Sequence, residues 1–302
     1  MKSLSKKSVI IIIVAVVVAL AIIAVAVVDA VLQKRNTPHT HTGIAMGSVV
    51  SQKIYGDNVC AEISQTVATL DSEKLSVTSL SPEISKINAN AGKSAVMVSD
   101  ETLNYIKACI DIANKTNGAF NPLMGALIDL WNIESVSPRV PSDEDIERVL
   151  PLCDYTKIQL DGNSVYLPQE GMKLHLGAAG KGIACDAACE IIKGSDSVRG
   201  AVISVGGSVV TYGKNPEAKH WTIGVRDPKG AVNDMLGVLK LEGEKYISTS
   251  GSYEKYFDRD GVRYHHILDY STGTPAQREL RCDGCCTERN CVRCAFHRLL
   301  CS

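Results

Sequence analysis

Adjacent histidines at positions 265 and 266 lie in the run VRYHHILDYSTGTP, and Asp269, Ser271, Thr272 and Gly273 follow at once. An imidazole titrates near neutrality, so it is suited to taking a proton from a hydroxyl at physiological pH. Neighbouring side chains on a strand point to opposite faces. One histidine is therefore expected to face a cleft and the other a different environment. The polar residues that follow have the density of a site rather than of a plain surface strand.

Three glycine-rich segments suggest close approach of a ligand. Leu176-Gly177-Ala178-Ala179-Gly180-Lys181-Gly182 joins an expected strand, Lys173–Leu176, to an expected helix running through Ile192. Glycine lets a backbone approach a ligand, and first-turn helix amides favour phosphate, although taken alone the segment reads better as a plain tight turn. The glycine spacing is not that of a Walker A loop, and no Ser or Thr follows the lysine. Val205-Gly206-Gly207-Ser208 falls inside an expected strand, where a bulge and a ligand passing close by explain it equally well. Ser248-Thr249-Ser250-Gly251 ends another strand in the same way. His39 and His41, two apart, are read as part of a solvated linker in preference to a metal site.

The elements that must position these groups change period along the chain. Val59, Ile63, Val67 and Leu70 recur at helical spacing. Ser99-Asp100 caps a second helix that turns Leu103, Ile106, Ile110 and Ala113 inward and ends at Gly118. Asn121-Pro122 is expected to start a third carrying Leu123, Leu127, Leu130 and Trp131, and Ser142 opens a fourth. Asp161-Gly162-Asn163 then marks a hairpin. Expected strands follow at Ala201–Val205, Trp221–Val225, Leu236–Leu241, Tyr246–Ser248, Tyr253–Phe257 and Tyr264–Leu268. Helices early and antiparallel strands late indicate an α+β domain.

A net charge of −1 over 302 residues gives no global attraction to nucleic acid. Lys2, Lys6 and Lys7 precede the twenty-residue apolar run Val9–Val28, which at about 1.5 Å per residue reaches about 30 Å. The expectation is one N-terminal transmembrane helix, uncleaved in preference to a signal peptide, with the remainder extracytoplasmic. The organisation expected is lysines and anchor over 1–28, linker over 29–43, a globular domain over 44–280 and a cysteine-rich tail over 281–302. Of eleven cysteines, Cys60, Cys109, Cys153, Cys185 and Cys189 are scattered through the body and six crowd into 282–301. The body therefore reads as a reduced core, not a disulfide framework.

Eight segments in order resemble the FAD:protein FMN transferases, the ApbE-like flavin transferases. They are AMGSVV near Met46, SPEISKIN at 81–88, GAFNPLMGALIDLW at 118–131, LGAAGKGIACD at 176–186, AVISVGGSV at 201–209, WTIGVRDP at 221–228, STSGSYEKYF at 248–257 and HHILDYSTGTP at 265–275. The resemblance implies a single domain with an antiparallel sheet and flanking helices. It implies FAD as substrate, whose FMN half moves to a Ser or Thr hydroxyl of a flavoprotein with release of AMP, assisted by Mg²⁺. His266 falls at the family's base. Met46, Thr78, Ala119, Phe120, Asn121, Gly177, Ile183 and Leu268 would line the FAD site, Ser250, Gly251 and Tyr253 would shape it, and the Gly180 carbonyl would be one metal ligand. Expected acceptors are flavoprotein subunits of membrane redox complexes. Thr78 stands where an aromatic is common, Asn121 replaces a usual Asp, and His175 replaces a usual acidic residue. Rival readings are an FAD pyrophosphatase, with water as acceptor, and a flavin-binding or inactive remnant.

The remnant reading comes from the tail. The family continues with a Val-rich strand and an Asp-Ala-Leu-Ser-Thr helix start whose Asp and Thr complete the metal site, and neither is written here. As a zinc module, Cys282/Cys285 and Cys291/Cys294 are separated by fewer residues than zinc ribbons use. As a shifted reading frame, every Cys codon moved one base on becomes Val or Ala. Cys282, Cys285, Cys286, Cys291 and Cys294 all convert in this way, and with suitable codons 281–298 reads AVTVVAQNGIVSDALSTA.

Overall fold

The computed structural model describes residues 15–28, 36–76, 82–227, 230–231 and 234–276, and the backbone of 281–286. Helix α1 covers 15–28. Its fourteen residues reach only about 21 Å at 1.5 Å each, against the roughly 30 Å of a bilayer core. Among the described residues no helix is long and apolar enough to cross a membrane. This overturns the expected transmembrane helix, and with it the single-pass membrane localisation. The first six residues of the apolar run lie outside the described residues.

Strands β1 (His39–Ala45) and β2 (Ser48–Tyr55) form a hairpin, so the folded domain begins inside the segment read as linker. Helix α2 (Cys60–Thr69) runs into a π-helical turn, Leu70–Leu75, and α3 spans Glu83–Ala89. After β3 (Val96–Met97), helix α4 (Asp100–Lys115) starts where Ser99 Oγ accepts the Thr102 amide at 3.3 Å. Helices α5 (Gly125–Trp131) and α6 (Asp143–Val149) follow, the latter capped by Ser142. Strands β4 (Gln159–Asp161) and β5 (Ser164–Tyr166) form the expected hairpin and add to β3.

Helix α7 (Gly177–Gly194) leads into β6 (Gly200–Val205), β7 (Ser208–Gly213), β8 (Trp221–Arg226), β9 (Met235–Leu241) and β10 (Lys245–Gly251). Then come β11 (Tyr256–Arg259), β12 (Val262–His265), β13 (Leu268–Asp269), β14 (Thr274–Pro275) and β15 (Arg281–Cys286). The main sheet is antiparallel, in the order β1-β2-β6-β7-β10-β15. The tail, read as carrying no regular element, thus supplies an edge strand along β10.

One core packs α2, α4 and α7 on the sheet through Ile54, Ile63, Ile106, Ile183 and Ile203. A smaller one joins Leu127, Leu130, Trp131 and Ile146 to Tyr264, Leu268 and Tyr270. The five described cysteines are free and buried, as a reduced core requires. Burial pushes the Cys109 thiol up to about 12.

Three local expectations are corrected. Helix α5 starts at Gly125 rather than Pro122, because the Asn121 carboxamide is spent on a turn: Oδ1 accepts the Leu123 amide and Nδ2 donates to the Cys153 carbonyl. Residues 173–176 are not a strand. Their backbone is satisfied by the Asn88 side chain at Leu174, by Pro122 at His175 and by Gly125 at Lys173. Gly206-Gly207 is a two-residue turn between β6 and β7, with Gly206 at φ +56°, instead of an interruption within one strand.

Candidate functional site

The hairpin tips, the start of α7 and the end of β10 meet at one edge of the main sheet. Met46 and Gly47 both have positive φ, +52° and +62°, the signature of a type I′ turn. Methionine is strained there, and its amide is held by the Asp71 carboxylate at 2.7 Å. At Gly206 a Cβ would stand 2.8 Å from Ser48 Oγ and 3.2 Å from Lys181 Nζ, and at Gly207 one would stand 2.5 Å from the Thr249 carbonyl. These glycines therefore let Ser48, Lys181 and Thr249 converge on bare backbone. A hydroxyl and an ammonium beside bare backbone form a cradle of a kind that receives phosphate.

The two histidines behave differently. His265 is 7% exposed, with Nε2 facing the Ala276 carbonyl at 3.0 Å and Nδ1 accepting the Ile267 amide. Both ring nitrogens are used, so the ring is neutral with its proton on Nε2, and its role is structural. Burial pushes its pKa down. His266 lies just past the end of β12, where Nδ1 donates to the Lys255 carbonyl at 3.1 Å. That bond puts the proton on Nδ1 and leaves the Nε2 lone pair available, with no hydrogen-bond partner among the described residues. Burial holds the pKa of His266 below its usual value, so the ring is neutral and basic at pH 7.

Sequence reasoning missed two neighbours of these groups, Glu134 and Lys255, and named His175 only as a departure from the family. His175 folds over the start of α7, with Nδ1 accepting the Gly177 amide at 3.3 Å, and burial lowers its pKa. Glu134 and Lys255 form an ion pair, and both act electrostatically on His175 and His266. The one signal available was the unusual imidazole before Leu176-Gly177.

The remaining expected residues divide. Ala119 and Phe120 follow Gly118, whose Cβ position lies 3.7 Å from the Tyr270 ring, so this segment meets the loop after Leu268. Ser250 and Gly251 end β10 beside the cradle, and Tyr253 lies under the Arg226 guanidinium, 5.4 Å from the ring centre. Asn121 has its carboxamide committed to the fold, and Ile183 is 1% exposed within the core. Gly177 and Gly180 lie in the first turn of α7, and the Gly180 amide bonds to the Leu176 carbonyl. Thr78 lies outside the described residues. Among the described residues no group of three or more His, Cys, Asp or Glu side chains is placed to hold a metal ion.

Comparison with known proteins finds relatives in sequence and in fold. The ApbE family model matches residues 46–286. An FAD:protein FMN transferase of Klebsiella pneumoniae is 32% identical over 249 residues, covering 81% of this chain and 76% of that protein. One from Treponema pallidum is 29% identical, covering 80% and 72%. The crystal structure of the ApbE protein of Thermotoga maritima superposes with a TM-score of 0.78 at 32% identity, covering 85% and 84% of the two chains.

Proposed function

The chain belongs to the ApbE family and is a flavin transferase, and we propose that its residues divide that work as follows. FAD is the substrate, with its diphosphate at the cradle of Ser48 and Lys181. His266 Nε2 takes the proton of an acceptor Ser or Thr hydroxyl. The hydroxyl oxygen bonds to the FMN phosphorus, the bond between the two phosphates breaks, and AMP carries away the bonding pair. The proton leaves His266 for solvent or for AMP. The observation that carries this reading is the Nδ1 bond of His266 to the Lys255 carbonyl, which fixes the tautomer a base needs.

Mg²⁺ prefers about six oxygen ligands, with carboxylates and phosphates among them. The described residues offer no acidic cluster, and Gly180 brings only a backbone carbonyl. They do not fit Mg²⁺ by themselves, and no step is routed through it. We attribute the shortfall to the tail: in the shifted frame 281–286 reads AVTVVA, β-branched and apolar as a strand prefers, and these are the residues that pair with β10. The same frame continues into SDALST, which would restore the family's Asp and Thr. Acceptors of the proposed reaction are flavoprotein subunits of membrane redox complexes. The test is product analysis after incubation of the chain whose 281–298 reads AVTVVAQNGIVSDALSTA with FAD, Mg²⁺ and an acceptor flavoprotein. A covalent acceptor–FMN adduct supports transfer, and free FMN with AMP alone assigns the pocket to FAD hydrolysis.

A further inference from the structure

One ion pair is carried by the residue whose carbonyl anchors His266, and a second by the residue two before His175. Lys255 pairs with Glu134 across 121 residues of sequence. Lys173, two residues before His175, pairs with Asp129 on α5. Both pairs are substantially exposed, with side chains 41% and 53% accessible for Lys255 and Glu134. Exposed ion pairs contribute little stability, so stability alone does not account for their position.

The Lys255 main chain is also the anchor of His266. Its carbonyl accepts both the His266 backbone amide and Nδ1, each at 3.1 Å. The side chain of the same residue meets Glu134, so one residue fixes the ring through its backbone and places a charge near it through its side chain. Opposite charges from one pair then act beside a half-buried imidazole, where solvent screens them less than at an open surface.

We propose that Glu134 and Lys255 are positioning residues that set the proton occupancy of His266, Glu134 favouring the protonated ring and Lys255 the neutral one. The proposal rests on the reading of His266 as base, but it concerns how that base is held neutral. The other charges facing the rings are Glu254 at His266 and Asp129 at His175, and neither changes in the variants below.

A simple tether and a charge pair differ in sign. If the pair only ties two loops together, breaking it from either end disturbs His266 in the same direction. If charge is the function, the two ends act oppositely. Glu134→Gln leaves the Lys255 ammonium unbalanced and makes His266 harder to protonate. Lys255→Met removes the cation, keeps the carbonyl that holds Nδ1, and makes the ring easier to protonate.

The experiment is NMR titration of the imidazole C2–H signals in the full chain, assigned with His266→Asn and His175→Asn. For Glu134→Gln the His266 midpoint is expected to fall, and for Lys255→Met to rise. Each shift should be about half a pH unit, roughly a threefold change in proton affinity, as one charge produces through a mixed protein and water path. Both shifts should shrink in high salt. Shifts of the same sign, or none beyond about 0.1 unit against that half-unit expectation, would overturn the proposal. The titration needs neither FAD nor acceptor, so its failure is separable from failure of the base assignment, which is read from transfer by His266→Asn.

Discussion

The Trp131 indole N–H donates to the Gly273 carbonyl at 2.7 Å. Trp131 is 2% exposed, and a Cβ at Gly273 would stand 2.4 Å from Ile146. The turn after β13 is therefore pinned onto α5 and α6, which fixes the strand end that carries His266. Trp131→Phe keeps most of the ring but leaves a buried carbonyl without its donor. The expected loss is about 1–3 kcal/mol, read from the urea midpoint at unchanged slope. An unchanged midpoint would show that this bond does not hold the segment.

The two histidines should separate stability from chemistry. His265→Ala removes a ring whose two nitrogens both serve the fold, so the melting temperature should drop while any remaining folded protein still binds FAD. His266→Asn should leave the melt nearly unchanged and, in the chain whose 281–298 reads AVTVVAQNGIVSDALSTA, lower transfer by about 10²–10⁴-fold, the usual contribution of a general base. The reverse pattern would exchange their roles.

Gly207→Ala tests the cradle. The added methyl would meet the Thr249 carbonyl at 2.5 Å, and backbone cannot yield as a flexible side chain does. The expected cost is about 1–3 kcal/mol of stability together with weaker FAD binding by isothermal titration. Gly47→Ala has nothing within 4 Å of its Cβ. It should lose only the strain of a left-handed alanine, about 1 kcal/mol.

Acid should destabilise the fold through its buried imidazoles. His175, His265 and His266 all have depressed pKa values, with burial as the largest cause. Between their folded values and the unfolded value near 6.5, the unfolded chain binds more protons, so stability rises with pH. That stability is fully present above about pH 6.5 and is lost as pH falls toward the folded values. Urea midpoints at pH 7.5 should exceed those at pH 5.5, and the difference should narrow in His265→Ala. A higher midpoint at pH 5.5 would contradict the neutral-ring assignment.

Elements with local signals were legible in the chain. Ser99 and Ser142 cap the helices they were expected to cap, and Asp161-Gly162-Asn163 forms its hairpin. Asn121-Pro122 misled because a good cap residue is also a good turn residue, and here the turn is held by Cys153 from 32 residues away. Lys173–Leu176 looked like a strand because its alternation is real, but its partners are a side chain and two loops. At the site, His266 and the glycines were visible as motifs. His175 was visible only as a departure from the family, and Glu134 and Lys255 were not visible, since no spacing records a pair 121 residues apart. The apolar run Val9–Val28 was long enough on paper to span a bilayer, whereas the helix described covers only 15–28.

The most direct test is flavin fluorescence of an acceptor flavoprotein after denaturing electrophoresis, following incubation with FAD and Mg²⁺. Three chains are compared: the present one, one in which 281–298 reads AVTVVAQNGIVSDALSTA, and the His266→Asn variant of the latter. The account predicts a strong covalent band for the second, little for the first and a loss of about 10²-fold or more for the third. Release of FMN and AMP with no labelled acceptor, or full labelling by His266→Asn, would contradict it.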